Sequence, residues 1–114
     1  MKVAIVGSRS FKNAEEVYRK ICENIPRNCS EVVSGGAAGI DTLAERYAKE
    51  NSLTLTVFLP KYDKYGKSAT VLRNSEIVEY ADIIYAFWDM QSKGTQITLK
   101  KCIECGKPCK IIRI

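Results

Sequence analysis

Glu31-Val32-Val33-Ser34-Gly35-Gly36-Ala37-Ala38-Gly39-Ile40-Asp41 is the stretch that decides the fold. Its first four residues are a β-type run that ends in a hydroxyl and a glycine pair. Beyond them, Ile40, Leu43, Ala44, Tyr47 and Ala48 follow the i, i+3, i+4, i+7, i+8 spacing of one helical face. A strand that runs through glycines directly into a helix is half of a βαβ unit. The same change of period recurs on either side. Upstream, Lys2 to Gly7 is dense in Val and Ile and ends in glycine. A helix over Ala14 to Ile25 follows, with Ala14, Val17, Tyr18, Ile21, Cys22 and Ile25 on one face. Asn13 and Glu16 form a capping box before it and Pro26 stops it. Downstream comes a strand over Leu53 to Leu59, closed by Pro60, then a polar loop from Lys61 to Ala69 and a helix over Thr70 to Tyr80. Asp82 to Trp88 is the most apolar run, as a central strand covered on both faces should be. A helix over Gly94 to Cys105, ended by Gly106 and Pro108, leads to a last strand over Cys109 to Ile114.

Five β-type runs therefore alternate with four helices. Connections this short require parallel strands, because each helix returns the chain to the same end of the sheet. With right-handed crossovers this predicts one Rossmann-like, three-layer α/β/α domain over residues 1–114, with a five-stranded parallel sheet. A chain of 114 residues holds one core of this kind.

Composition narrows the function classes. Hydrophobic residues at 46% and charged residues at 27% are ordinary for a globular fold, and no run approaches the roughly 20 apolar residues of a membrane span. The apolar start is too short for a signal core and reads as the first strand, so a cytoplasmic protein without a membrane partner is expected. The net charge of +5 is spread along the chain without a block of like charges, which suits small anions as well as nucleic acid. Five cysteines with no histidine argue against a disulfide framework and against zinc, although Cys102 and Cys105 have C-x-x-C spacing with Cys109 nearby. They read as buried, inert thiols, and no metal site is expected.

In open parallel sheets ligands bind beyond the carboxyl ends of the strands, where the winding reverses. The residues following strands one, two and four are Gly7-Ser8-Arg9-Ser10, then Ser34 to Asp41, then Asp89, Ser92, Lys93, Gly94 and Thr95. Gly35-Gly36 permit close backbone approach and should deliver the chain into a helix N-terminus, where unpaired N–H groups and the dipole favour an anion. Gly94-Thr95 should do the same at the last helix, with the Ser92 and Thr95 hydroxyls as further donors. Neither loop matches a dinucleotide fingerprint or a P-loop. Arg9 and Arg73 are candidate phosphate partners, although Arg73 equally suits a solvated surface. Asp41, in the first turn of its helix, either complements the dipole or contacts ribose hydroxyls. Phe87 reads as core, and Trp88 as core, interface or the wall of a base pocket.

These strings also carry a resemblance. Val6-Gly7-Ser8-Arg9, Val33 to Asp41, Lys64-Tyr65-Gly66-Lys67-Ser68-Ala69 with Arg73-Asn74, and Ala81 to Asp89 followed by Ser92-Lys93-Gly94-Thr95 resemble the YspA/YpsA-related branch of the SLOG superfamily. That superfamily also contains the LOG nucleotide phosphoribohydrolases and the DNA-processing protein DprA. The resemblance implies a nucleotide-binding Rossmann-like domain, a sensor or processing module for an NAD- or ADP-ribose-like ligand. No cofactor is fixed by the residues, and a bound nucleotide is the implied occupant. Carried over, the pocket residues are Gly7, Ser8, Arg9, Ser34, Gly35, Gly36, Ala37, Asp41, Arg73, Asn74, Ser92, Gly94 and Thr95. The LOG signature P-G-G-x-G-T-x-x-E is matched at Gly94-Thr95, but Thr98 stands in the place of its acid and Ser92 in that of a glycine. If the chain is an enzyme, a hydrolase of N-glycosidic or phosphoribosyl bonds, the acid falls to Asp41 or Asp89, with Glu76 behind them. DprA-like binding of single-stranded DNA is the remaining reading, ranked last because the basic residues form no stripe. Superfamily members often dimerise, so a homo-oligomer is expected.

Overall fold

The computed structural model describes all 114 residues, Met1–Ile114. Its elements run β1 (Lys2–Gly7), α1 (Ala14–Asn24), β2 (Glu31–Ser34), α2 (Ile40–Glu50), β3 (Thr54–Val57), α3 (Tyr62–Tyr65), a 3-10 turn (Gly66–Ser68), α4 (Ala69–Tyr80), β4 (Ile83–Trp88), α5 (Lys93–Cys105) and β5 (Cys109–Arg113). The sheet is wholly parallel in the order β3-β2-β1-β4-β5, with Lys2 opposite Glu31, Val3 opposite Ile83 and Ile84 opposite Cys109. This is the doubly wound sheet with four crossover helices that the alternation predicts. No helix is long and apolar enough to cross a membrane.

The side-chain period of two on β1 shows how the layers are held. Val3 and Ile5 enter one core with Val17, Ile21, Ile40 and Leu43 of α1 and α2. Ala4 and Val6 enter the other with Ile77, Val78, Leu99 and Cys102 of α4 and α5. A strand with both faces covered must be apolar throughout, and residues 3–6 of β1 are all buried. The centre of the sheet is therefore β1, with the equally apolar β4 beside it rather than in its place.

Three local expectations are corrected. The stretch Lys61–Ala69 is not irregular: it contains α3 and the 3-10 turn, too short for an amphipathic period to register. Helix α1 buries only part of its apolar stripe, because Ala14 and Cys22 lie exposed. The thiols divide accordingly. Cys29 and Cys102 are buried, whereas Cys22, Cys105 and Cys109 are exposed. Burial pushes the Cys102 thiol up to about 11, with the neighbouring Cys109 adding to the effect.

Candidate functional site

The winding reverses between β1 and β4, and a pocket of about 350 Å³ opens above their carboxyl ends. The end of β1 and its loop contribute Val6, Gly7, Arg9 and Ser10. The loop after β2 contributes Gly35, Ala37 and Ala38, and α2 adds Asp41. Arg73, Asn74 and Ile77 come from α4. The start of α5 supplies Ser92, Lys93, Gly94, Thr95 and Thr98. Gly35 and Gly94-Thr95 thus share one concavity. Of the residues expected there, Ser8, Ser34 and Gly36 are not among its walls. Val6, Ser10, Ala38, Ile77, Lys93 and Thr98 are walls that the expected pocket set left out.

Ser8 and Ser34 act from behind the surface. Ser8 is buried, and its backbone N–H donates to Phe87 O (3.2 Å) while its carbonyl accepts from Ile40 N (3.1 Å). Its hydroxyl oxygen accepts from Asp89 N (3.0 Å) and lies 3.2 Å from Ser92 Oγ. One residue so ties together the loops after β1, β2 and β4. The buried Ser34 hydroxyl accepts from Gly36 N (3.3 Å) and fixes the turn out of β2. Gly39 permits the tight contact between the first two loops. Its φ of 74° is left-handed, and a Cβ there would stand 2.4 Å from Arg9 O and 2.5 Å from Ser8 O.

The entry to α2 differs from the expectation drawn from Gly35-Gly36. The helix is entered through Gly39, not directly from the glycine pair. Ala37 N donates to Asp41 Oδ2 at 3.0 Å, so one loop amide is already occupied by a carboxylate. Burial raises the Asp41 pKa above the ordinary aspartate value. The Ala37 amide, Arg73 and Arg9 oppose that shift only in part.

Arg73 is buried, not solvated. Its Nε donates to Asn74 Oδ1 (2.8 Å), and its Nη1 donates to the carbonyls of Gly35 and, at 3.4 Å, Phe58. A Cβ at Gly35 would meet Nη1 at 2.6 Å and Cζ at 2.8 Å, so glycine is needed to let the guanidinium lie against the backbone. Arg73 is a strut between α4 and the loops after β2 and β3, and its guanidinium also reaches the pocket wall. Desolvation lowers its pKa, against the pull of Asp41.

Asp89 is not a pocket wall. Its Oδ1 accepts from Gln91 N (2.9 Å), Ser92 N (2.8 Å) and Ser92 Oγ (2.9 Å). The amides of Gln91 and Ser92 bring its carboxyl down to about 2, so it shapes the turn as a fixed anion. Thr98 Oγ1 donates to Gly94 O (3.0 Å) within α5. The Trp88 indole N–H donates to Ser92 O (3.0 Å), and the ring packs on the second core without forming a wall of the pocket. Phe87 is fully buried, and Glu76 lies outside the pocket.

What remains available to a ligand is an exposed guanidinium at Arg9, the exposed ammonium of Lys93, and the first turn of α5, whose leading N–H groups have no intrahelical acceptor. Against these stands one partly buried carboxylate. The arrangement suits an anion of modest size with a polar appendage near Asp41.

The family model described as DNA recombination-mediator protein A matches residues 1–93. The Gene 61 protein of Mycobacterium phage D29 is 34% identical over 115 residues, which cover 94% of this chain and 92% of that protein. Among solved structures, DNA processing protein A (DprA) from Streptococcus pneumoniae aligns with a TM-score of 0.77 at 24% identity. DNA processing protein A from Helicobacter pylori, whose structure describes a single-stranded DNA binding mode, aligns with a TM-score of 0.73 at 20% identity. They cover 96% and 97% of this chain, but the chain spans only 49% and 64% of theirs. At these identities the likeness of the two structures is one of fold.

Proposed function

The chain belongs to the DNA recombination-mediator protein A family, and from that premise we propose that the rim pocket binds single-stranded DNA through its sugar-phosphate backbone. This reverses the order of the readings drawn from sequence, which placed a free NAD- or ADP-ribose-like ligand first. The observation that carries the proposal is the pairing of Arg9 and Lys93 with the open first turn of α5 around one concavity. A phosphate seated there meets two cations and a helix N-terminus. No aromatic residue lines this pocket, so a base is not read in it and backbone recognition is favoured. The single-stranded DNA binding described for the Helicobacter pylori protein supports the same ligand class.

A mononucleotide remains the second reading, on one specific ground: a pocket of about 350 Å³ has the scale of a small-ligand site. The two readings share the phosphate and differ in what continues beyond it. Hydrolysis stands behind both. Asp89 is committed as an ion to its turn, Thr98 carries no carboxylate, and Asp41 alone is left to act as an acid.

Fluorescence anisotropy with a labelled oligodeoxythymidine, titrated over a range of salt, tests the proposal. The affinity constant should fall with salt by about 0.7 in log-log slope per phosphate neutralised. Arg9→Ala should weaken binding and remove about one such increment. Failure of the folded protein to bind single strands at low salt, or an Arg9→Ala slope equal to that of the unaltered chain, refutes it. Competition by mononucleotides at micromolar levels would promote the second reading.

A further inference from the structure

The two edges of the sheet are protected very differently. At one edge, β5 carries Lys110 and Arg113, and the Arg113 carbonyl accepts from Lys20 Nζ at 3.2 Å. Charged side chains of this kind keep an edge from pairing with another strand. At the other edge, β3 has no such guard. From Ser52 to Pro60 the chain reads Ser-Leu-Thr-Leu-Thr-Val-Phe-Leu-Pro, without one charged residue. Leu55 and Val57 are each 37% exposed and Leu59 is 64% exposed, on a molecule with two well-filled cores.

The pairing with β2 decides which backbone groups of β3 are free. Ser34 stands opposite Val57, and its carbonyl accepts from Phe58 N at 2.9 Å. In a parallel ladder this turns the N–H and C=O groups of Thr54, Thr56 and Phe58 toward β2, and those of Leu55 and Val57 off the edge. The Leu53 N–H is already held by Ala48 O at 2.8 Å, so the free stretch begins at Leu55. Side chains alternate in the same way. Leu55, opposite Val32, lies on the side of the first core, and Val57 shares that face. Thr56, opposite Val33, lies on the side of the second, where Phe58 meets the Tyr80 ring edge-on at 5.4 Å.

We propose that β3 is a self-pairing edge, through which two copies of this chain join antiparallel into one ten-stranded sheet. Charge selects the occupant. A charged partner strand finds nothing on β3 to pair with, whereas a copy of the same neutral strand meets no repulsion. The same copy brought to β5 would set Lys110 and Arg113 against their own like. The free groups also fix the register. With the two-fold axis at Thr56, Leu55 exchanges both backbone hydrogen bonds with the partner's Val57, and Val57 with the partner's Leu55, an isologous contact that closes on itself. Leu55 and Val57 then extend the apolar surface of the first core across the axis. Because the strands run antiparallel, the two rim pockets open at opposite ends of the joined sheet. The inference is independent of what those pockets hold.

Sedimentation velocity over a wide range of concentration tests it, with a thiol reductant present so that the exposed Cys22, Cys105 and Cys109 cannot link chains. The mass should rise from the 12.8 kDa of one chain toward that of two. Val57→Lys and Leu55→Glu each set like charges beside the axis and should leave a single chain at every concentration. Ile111→Lys places a charge of the same kind on the opposite edge and should leave the dimer intact. Amide exchange on the unaltered chain needs no variant to fold: protection at Leu55 and Val57 should grow with concentration, while that at Ile111 should not. A single-chain mass at all concentrations overturns the proposal. So does a dimer that survives both β3 variants or is lost with Ile111→Lys, and so does exchange at Leu55 and Val57 that ignores concentration.

Discussion

Replacing Gly35 by alanine probes the strut on which the rim depends. The position needs glycine for space, not for backbone conformation. An added Cβ would stand 2.6 Å from Arg73 Nη1 and 2.8 Å from Cζ, well inside van der Waals contact. The guanidinium must withdraw, and with it goes the hydrogen bond to the Gly35 carbonyl in a buried setting. A hydrogen bond from a charged donor contributes about 1.5–3 kcal/mol. Alanine recovers about 0.4–1 kcal/mol by stiffening the unfolded chain. The expected net loss is therefore about 1–2 kcal/mol, a shift of the urea midpoint by roughly 0.5–1 M at the slope of a small domain. The decisive measurement is the same substitution in an Arg73→Leu background. With the guanidinium absent, the clash partner is gone and Gly35→Ala should become neutral or mildly stabilising. The coupling between the two sites should recover most of the loss. An equal cost of Gly35→Ala in both backgrounds would show that something other than Arg73 occupies that space, and the account of Arg73 as a strut would fail.

The remaining expectations follow from the same geometry. Asp41 titrates above the ordinary aspartate value of about 3.9, so its contribution to stability is complete below that pH and is lost as pH rises through the folded pKa. Asp41→Asn should remove this downward slope, as paired unfolding curves across the acid range will show; parallel curves would contradict it. Asp89, brought down to about 2, has the opposite sign: its contribution is present above about pH 3.9 and disappears as pH falls toward 2. Carbon-detected carboxyl titration should place its midpoint near 2, and Asp89→Asn should abolish the matching fall in stability. Gly39→Ala combines a positive φ of 74° at ψ −121°, a region that glycine tolerates, with a 2.4 Å approach to Arg9 O, and should cost about 1–3 kcal/mol from conformation alone, more with the displaced loop. A melt within error of the unaltered chain would refute the close approach of these two loops.

Periodicity made the fold readable. Val3 to Val6 is unbroken by a polar side chain because both faces of β1 are covered, and the i, i+3, i+4 face of α2 survives intact from sequence to core. The rim was readable only as far as chain order sets it: strands ending together place Gly7, Gly35 and Gly94 on one edge. Which residues face outward there depends on hydrogen bonds between loops distant in sequence. Ser8 and Ser34 carry the hydroxyls expected of ligand contacts, yet the Ser8 hydroxyl satisfies an amide of the distant turn after β4 and the Ser34 hydroxyl an amide of its own turn. Arg73 and a surface arginine look alike in sequence, and only the bare backbone of Gly35, 38 residues upstream, tells them apart. Lys93 and Thr98 lie one helical turn or less from expected residues, and helix phase alone could have included them.

The knot of contacts at Ser8 bears on how any occupant is received. Because one buried serine fastens three separate turns before a ligand arrives, the mouth does not have to be assembled by what enters it. Little backbone ordering is left to be lost on association, so the ordering cost falls on the exposed side chains of Arg9 and Lys93 rather than on the closing of a lip.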